Sequence, residues 1–194
     1  MSVRLAREED IPAILAIYSP YVENTACSFE YTAPTIEEFT ARFRAYTAQF
    51  PWLVWEEDGE VLGYAYGSAP FSRAAYRWCG ELAVYIAPKA HRRGIGRALY
   101  SVAEEILFRQ GYQVIYCLIT TANADSVAFH SRMGYKIVAE LPGCGVKFGQ
   151  RYGIIYMEKR ADSVEIPTEF PISANAIVQD ARIWEDILVK FSLS

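Results

Sequence analysis

The chain has 194 residues, 52% hydrophobic and 22% charged, which is enough for one well-buried domain and short for two ordinary ones. Lys and Arg total 19 against 23 Asp and Glu, a net charge of -4, so no strong basic field exists to hold a nucleic acid backbone. Cys27, Cys79, Cys117 and Cys144 are far apart and form no C-x-x-C pair, and with His91 and His130 as the two histidines the spacing excludes a structural zinc site.

The N-terminal MSVRLAREED has no apolar stretch of the signal-peptide kind, and no run approaches the roughly 20 apolar residues that cross a bilayer, which predicts a cytoplasmic protein with no membrane partner. Val3 to Arg7 alternates apolar and polar residues as a short strand, and Ile11, Ile14, Leu15 and Tyr18 recur at helical spacing behind Glu8-Glu9-Asp10. Thr35-Ile36-Glu37-Glu38 has the S/T-x-x-E capping pattern, with Phe39, Phe43 and Tyr46 on one helical face before Pro51. Two strand-like runs, 52–55 and 61–66, flank Asp58-Gly59, a hairpin signal. In 81–86, Leu82, Val84 and Ile86 point one way and Glu81, Ala83 and Tyr85 the other, and Pro88 ends the strand. The stripe Ile95, Ala98, Leu99, Val102, Ala103, Ile106, Leu107 predicts a helix that Gly111 closes in a left-handed cap. A buried strand at 114–119, a helix at 126–132 stopped by Gly134, and strands at 135–141 and 154–159 complete the order β-α-α-β-β-β-α-β-α-β-β.

After Arg160 the composition shifts to a linker carrying Pro167 and Pro171, and Ile177, Ala181, Trp184, Ile187, Leu188 and Phe191 then trace an amphipathic helix too short to fold alone. The chain therefore divides into a domain at 1–161 and a linker with an appended helix at 162–194. Water penalises that apolar face if it is left bare, so it packs either on its own domain or on a partner subunit, and of the two a subunit interface, that of a homodimer, is the expectation.

In Ala90-His91-Arg92-Arg93-Gly94-Ile95-Gly96-Arg97-Ala98-Leu99 a strand gives way to a helix through two glycines and three arginines. Free N–H groups at a helix start carry partial positive charge, glycines let a diphosphate approach the backbone, and arginines add charge-assisted bonds, so the run suits an anion cradle. No Gly-Lys-Ser/Thr follows for a triphosphate loop, and Leu99 stands where a dinucleotide fingerprint has its third glycine. An exposed basic turn that merely caps a helix fits the spacing equally well.

The run resembles the Q/R-x-x-G-x-G/A acetyl-CoA loop of the GNAT acetyltransferase superfamily, and the element order fits that α/β fold: a mixed, twisted sheet flanked by helices, with two splayed central strands. Phe50-Pro51-Trp52-Leu53-Val54, Asp58-Gly59-Glu60-Val61, Ala65-Tyr66, Val84-Tyr85-Ile86, Asn123 with Asp125-Ser126-Val127, and His130 with Gly134-Tyr135 are similar to the phosphinothricin and methionine sulfone/sulfoximine N-acetyltransferases. The similarity spans roughly residues 3 to 159. It implies acetyl-CoA as co-substrate, no metal, and transfer of the acetyl group to the primary amine of a small amino acid or analogue by direct attack in a ternary complex.

By the same resemblance Arg92, Arg93, Gly94, Ile95, Gly96 and Arg97 cradle the pyrophosphate, and Val84, Tyr85 and Ile86 lend backbone groups to the pantetheine arm, near Asn123. Glu81 matches the acidic residue that takes the ammonium proton, and a carboxylate among Trp78, Tyr85 and other aromatics should have the raised pKa that suits a base. His130 stands where many relatives carry the tyrosine that protonates the departing thiolate, a task an imidazolium can perform; a histidine satisfied by a backbone carbonyl is the other reading. Arg73 and Tyr76 match the segment that grips the acceptor carboxylate. Two positions depart from the pattern: His91 replaces the usual Gln or Arg, and Phe148 stands where some relatives have histidine. Competing functions are acetylation of a protein N-terminus or a polyamine, which needs an open acidic groove that Arg73 and Arg77 oppose, and a non-catalytic acyl-CoA-binding module, which retention of Glu81 and His130 opposes.

Overall fold

Residues 2–162 and 166–191 are described by the structure, a computed structural model. Seven strands, β1 (Ser2–Leu5), β2 (Trp52–Glu57), β3 (Glu60–Ser68), β4 (Cys79–Ile86), β5 (Val114–Thr120), β6 (Lys136–Lys147) and β7 (Gln150–Arg160), form one mixed sheet in the order β1-β2-β3-β4-β5-β7-β6. β4 and β5 run parallel; every other neighbouring pair is antiparallel.

On one face lie α1 (Ile11–Asn24) and α2 (Ile36–Thr47), which close over an aromatic layer. Phe43 lies 4.9 Å from Trp52, and Tyr18 meets Tyr85 edge-on at 5.0 Å. α2 starts where the capping pattern places it: Thr35 accepts from the Glu38 N–H, and the Glu38 carboxylate accepts from the Thr35 N–H. On the other face α3 (Ile95–Gln110) buries Leu99, Val102, Ala103, Ile106 and Leu107, and Gly111 ends it at φ +103°. Gly63 of β3 has no room for a side chain, since a Cβ there would sit 2.5 Å from Ile86 Cδ1 of β4 and 3.3 Å from Leu99 Cδ1 of α3. The Asp58-Gly59 turn has positive φ at both residues, 51° and 79°, as a two-residue hairpin of the primed type requires.

Three elements differ from the sequence expectation. β1 stops at Leu5, two residues early, because Arg7 leads into a short turn of 3-10 helix whose Asp10 carboxylate accepts from its N–H. β6 and β7 form one long hairpin closed by Phe148-Gly149, both at positive φ, whereas the expected strands end at 141 and resume at 154; register shifts between Leu141 and Gly145 carry the pairing through Pro142 and Gly143.

The third difference is the tail, which is two helices, α5 (Ala174–Gln179) and α6 (Ala181–Lys190). Asp180 separates them and caps α6 through the N–H groups of Arg182 and Ile183. Its apolar face does not await a second subunit. Ala174, Ile177 and Ile187 are buried within the same chain, in the core that α3 helps to form, and ion pairs Lys190–Glu105 and Arg109–Asp186 flank the contact. Of the two settings open to this face, its own domain is the one it takes in place of the expected interface, because α3 offers a bare apolar flank within reach of the chain that follows β7. No helix among the described residues is long and apolar enough to cross a membrane.

Candidate active site

The central strands part company at one residue. β4 and β5 pair only through Cys79↔Val114, Gly80↔Ile115 and Glu81↔Tyr116, and beyond Glu81 they diverge. The opening between the rest of β4 and the rest of β5 leaves backbone groups that an extended ligand can meet as an added strand. Val84, Tyr85 and Ile86 belong to this stretch of β4 that is not paired with β5. The Tyr85 ring turns into the aromatic layer, stacked on Tyr64 at 5.4 Å. The Ile86 carbonyl already accepts from the Tyr21 hydroxyl at 2.7 Å and lies 3.0 Å from His91 Nε2, so a ligand does not find it free. His91 is exposed yet tied, its Nε2 also 2.9 Å from Tyr21 Oη.

The start of α3 lies at the mouth of this opening, with Gly96 in van der Waals reach of Ile86, whose Cγ1 would be 3.5 Å from a Cβ built there. Gly94 caps the helix at φ +81° with empty space where a side chain would be. It brings no side-chain cap, and the first bond between turns is Ala98 N–H to the Gly94 carbonyl, so the N–H groups of Ile95, Gly96 and Arg97 have no acceptor in their own helix. Arg92 and Arg97 are exposed beside them, while Arg93 is held by Glu57 at 2.6 Å. Ile95 contributes its N–H alone, because its side chain is buried in the core. Open glycines, free N–H groups and flanking guanidiniums fit a diphosphate-bearing ligand whose chain enters the splay.

Glu81 occupies the apex where the strands part, opposite Ser68 of β3 and Tyr116 of β5. Burial alone pushes its carboxyl up to about 7. No hydrogen bond or ion pair holds the carboxylate among the described residues, so it is free to exchange a proton with a ligand near neutral pH. Asn123 follows β5 and caps α4 (Ala124–Arg132). Its Oδ1 accepts from the Ser126 N–H at 3.1 Å, which leaves its Nδ2 as the group a ligand could use.

At His130 the geometry fits the second reading, a histidine satisfied by a backbone carbonyl. Its ring is 5% exposed, boxed in by Tyr100, Phe129 and Tyr135 at 4.9 to 5.6 Å. Nδ1 lies 2.8 Å from the Ser126 carbonyl, which requires the proton on Nδ1, and Nε2 is buried without a partner. Burial lowers its pKa. A neutral ring with its one proton given to a carbonyl, and its other nitrogen walled off, has nothing to donate to a thiolate in the cleft.

Arg73 and Tyr76 do come together. They lie in the loop between β3 and β4 and line a cleft of about 490 Å³ with Phe71, Arg77 and Cys79. Cys79 and Glu81 are on the same face of β4, two residues apart, so the cleft approaches the base along the strand. The cleft also has a wall that the sequence did not signal: Phe170 and Pro171, from beyond the last strand. Tyr116, which meets Phe71 edge-on at 5.8 Å, and Tyr21 were missed as well, since a tyrosine in a strand or helix has the same pattern whether it packs or binds. Among the described residues no group of three or more His, Cys, Asp or Glu could hold a metal ion.

The sequence profile of the acetyltransferase (GNAT) domain matches residues 3–155. A phosphinothricin N-acetyltransferase of Alcaligenes faecalis is 36% identical over 160 residues, covering 81% of this chain and 81% of that one. An L-methionine sulfoximine/L-methionine sulfone acetyltransferase of Pseudomonas paraeruginosa is 35% identical, covering 83% and 95%. Among solved structures, a phosphinothricin acetyltransferase from Sinorhizobium meliloti in complex with acetyl-CoA superposes with a TM-score of 0.82 at 29% identity, covering 87% of this chain and 94% of that one.

Proposed function

The chain belongs to the GNAT acetyltransferase family and is an acetyl-CoA-dependent N-acetyltransferase, and from that premise we propose that its acceptor is the α-amine of a small amino acid or analogue, bound against Arg73 and Tyr76 and acetylated by direct transfer between two bound substrates. The observation that carries this reading is the position of Glu81. A carboxyl raised to about 7 by burial stands at the apex of the splay, between the N–H cradle of α3 and the cleft that Arg73 and Tyr76 line.

Acetyl-CoA supplies an activated acetyl thioester. Arg92, Arg93, Arg97 and the N–H groups of Ile95, Gly96 and Arg97, beside the open Gly94, hold its pyrophosphate, Arg93 only when Glu57 shares it. Backbone groups of Val84, Tyr85 and Ile86, the last without its carbonyl, and the Asn123 side chain hold the arm. Glu81 accepts the proton of the incoming ammonium, because only the free amine attacks a thioester, and a base of pKa near 7 is half ionised at the working pH. Arg73 grips the acceptor carboxylate in its planar fork and the Tyr76 hydroxyl supplies one more bond. With Nε2 of His130 walled off, the departing thiolate takes its proton from solvent or from protonated Glu81.

The relatives named for phosphinothricin and for methionine sulfone support an amino acid analogue as acceptor. A cleft walled by two arginines disfavours polyamines, and retention of a buried base disfavours a purely acyl-CoA-binding role. The reading includes a homodimer, supported by Ile137, Val138, Leu141 and Val146, all about half exposed along the edge strand β6, rather than by the tail. An acceptor panel with acetyl-CoA, read as free thiol release, tests the function: α-amino acid analogues should turn over, while spermidine and a peptide N-terminus should lag. Preferential turnover of the last two would overturn it.

A further inference from the structure

The described part of the chain beyond Ala161 lies outside the family match, and its stretch 166–173 runs past the cleft, which Phe170 and Pro171 line. Five hydrogen bonds fasten this strap, and a sixth holds Ala174 directly after it. Trp78 Nε1 donates to the Glu169 carbonyl at 2.9 Å, and Gln49 Nε2 donates to the carbonyls of Pro171 and Ile172, each at 3.1 Å. Gln110, itself 2% exposed, donates from Nε2 to the Ile172 carbonyl at 2.6 Å while Ile172 N–H returns a bond to its carbonyl at 2.9 Å, and Ala174 N–H donates to the Gln49 carbonyl at 3.0 Å. The ends of α2 and α3 thus hold the strap in one register, and the aromatic residue it presents to the cleft, beside Pro171, is Phe170.

Phe170 is 59% exposed, so it does not serve the core. Its ring lies between two residues of the β3–β4 loop: the Arg77 guanidinium is 4.6 Å from the ring centroid, and Trp78 stacks at 5.5 Å. That loop is otherwise exposed from Phe71 to Arg77. A guanidinium lying over an aromatic face keeps its in-plane N–H donors free, while losing the freedom to swing away. Arg77 and Arg73 then offer two forks on one cleft.

We propose that Phe170 is a specificity-determining residue of the acceptor site: it fixes Arg77 and the loop that carries Arg73 and Tyr76, and it forms the outer wall against which a carboxylate-bearing amine is held. The inference rests on the acceptor site described above. It assigns to the appended segment a share in substrate selection, in addition to its packing on α3. Because Phe170 is mostly exposed, replacing it leaves the core untouched, unlike deletion of the tail, which removes Ile177 and Ile187 from it.

The test compares wild type, Phe170→Leu, Phe170→Tyr and Arg73→Ala with L-methionine sulfone as acceptor, measuring kcat, KM for each substrate, and Tm. Leucine keeps apolar bulk but has no ring face, so KM for the acceptor should rise about 5- to 30-fold, with KM for acetyl-CoA and Tm unchanged, and tyrosine should restore it. If Arg73→Ala raises the acceptor KM and Phe170→Leu does not, the role of Phe170 is overturned and the acceptor site stands. If neither variant moves it, or wild type does not acetylate the sulfone, the site assignment falls and the inference with it. A Phe170→Leu protein with both KM values and Tm shifted together would show a merely structural wall, which also overturns the proposal.

Discussion

Glu81→Gln should weaken the enzyme and strengthen the fold, and both effects follow from one property of the carboxyl. Burial raises its pKa from the ordinary value of 4.5 to about 7. In the unfolded chain the group ionises at its ordinary value, so between those two values the native state binds a proton that the unfolded state has released. Stability contributed by the protonated form is therefore fully present below pH 4.5 and is lost as pH rises through about 7. The shift corresponds to about 3 kcal/mol at most, the cost of keeping the carboxylate charged in its half-buried site above neutral pH. Glutamine is neutral throughout. Urea unfolding should thus show the variant close to wild type near about pH 5 and more stable by up to about 3 kcal/mol near about pH 8.5. In steady-state assays the same variant should bind acetyl-CoA normally while kcat at neutral pH falls by roughly 10² to 10⁴, a gap that narrows as rising pH deprotonates the amine in solution. A variant no more stable than wild type at high pH would show that the carboxyl is solvated, and one with wild-type kcat would remove Glu81 as the base.

Gly96→Ala places a methyl group 3.5 Å from Ile86 Cγ1, an ordinary contact, so Tm should hold while calorimetry shows acetyl-CoA affinity down roughly tenfold; unchanged affinity would dissolve the cradle. Ile187→Ala should cost about 2–5 kcal/mol in urea unfolding without changing the mass seen by light scattering, because Ile187 is buried within its own chain; an unchanged midpoint would place the tail outside the core. His130→Phe should keep kcat within about tenfold of wild type, since Nε2 has no proton to give, and a loss of 10² or more would restore the acid role. Wild type should also lose stability as pH falls below the ordinary histidine value of 6.5, where a ring held neutral must charge, and the phenylalanine variant should be spared that part of the loss.

What the sequence reveals and what it hides divides along locality. The stripe of α3, the capping box of α2 and the Asp58-Gly59 turn are short-range patterns, and each is found where periodicity or turn chemistry puts it. The α3 cradle is equally local, because glycines, arginines and helix start are consecutive. Periodicity in the tail shows that a face is buried but not against what, so the sequence fits its own domain and a second subunit alike. The β6–β7 hairpin is hidden by glycines that answer to distant neighbours: a Cβ at Gly145 would sit 2.3 Å from the Phe29 ring, and one at Gly153 2.8 Å from the Leu141 carbonyl. Glu81 is one carboxylate among 23 acidic residues until the family resemblance singles it out, and its apex position exists only once β4 and β5 are seen to part. His130 has the right chain position for an acid, but the proton on its Nδ1 is decided by a carbonyl four residues away. Phe170 meets Arg77 across 93 residues of chain, a contact no local pattern encodes.

The central claim, an acceptor recognised by its carboxylate beside the base, is tested most directly by the ratio of kcat/KM for L-methionine sulfone to that for the same molecule without its carboxyl group, at saturating acetyl-CoA. A charge-assisted contact of about 1.5–3 kcal/mol predicts a ratio of roughly 10 to 150 for wild type, collapsing toward unity in Arg73→Ala. A wild-type ratio near unity, or one that Arg73→Ala leaves untouched, would contradict the account.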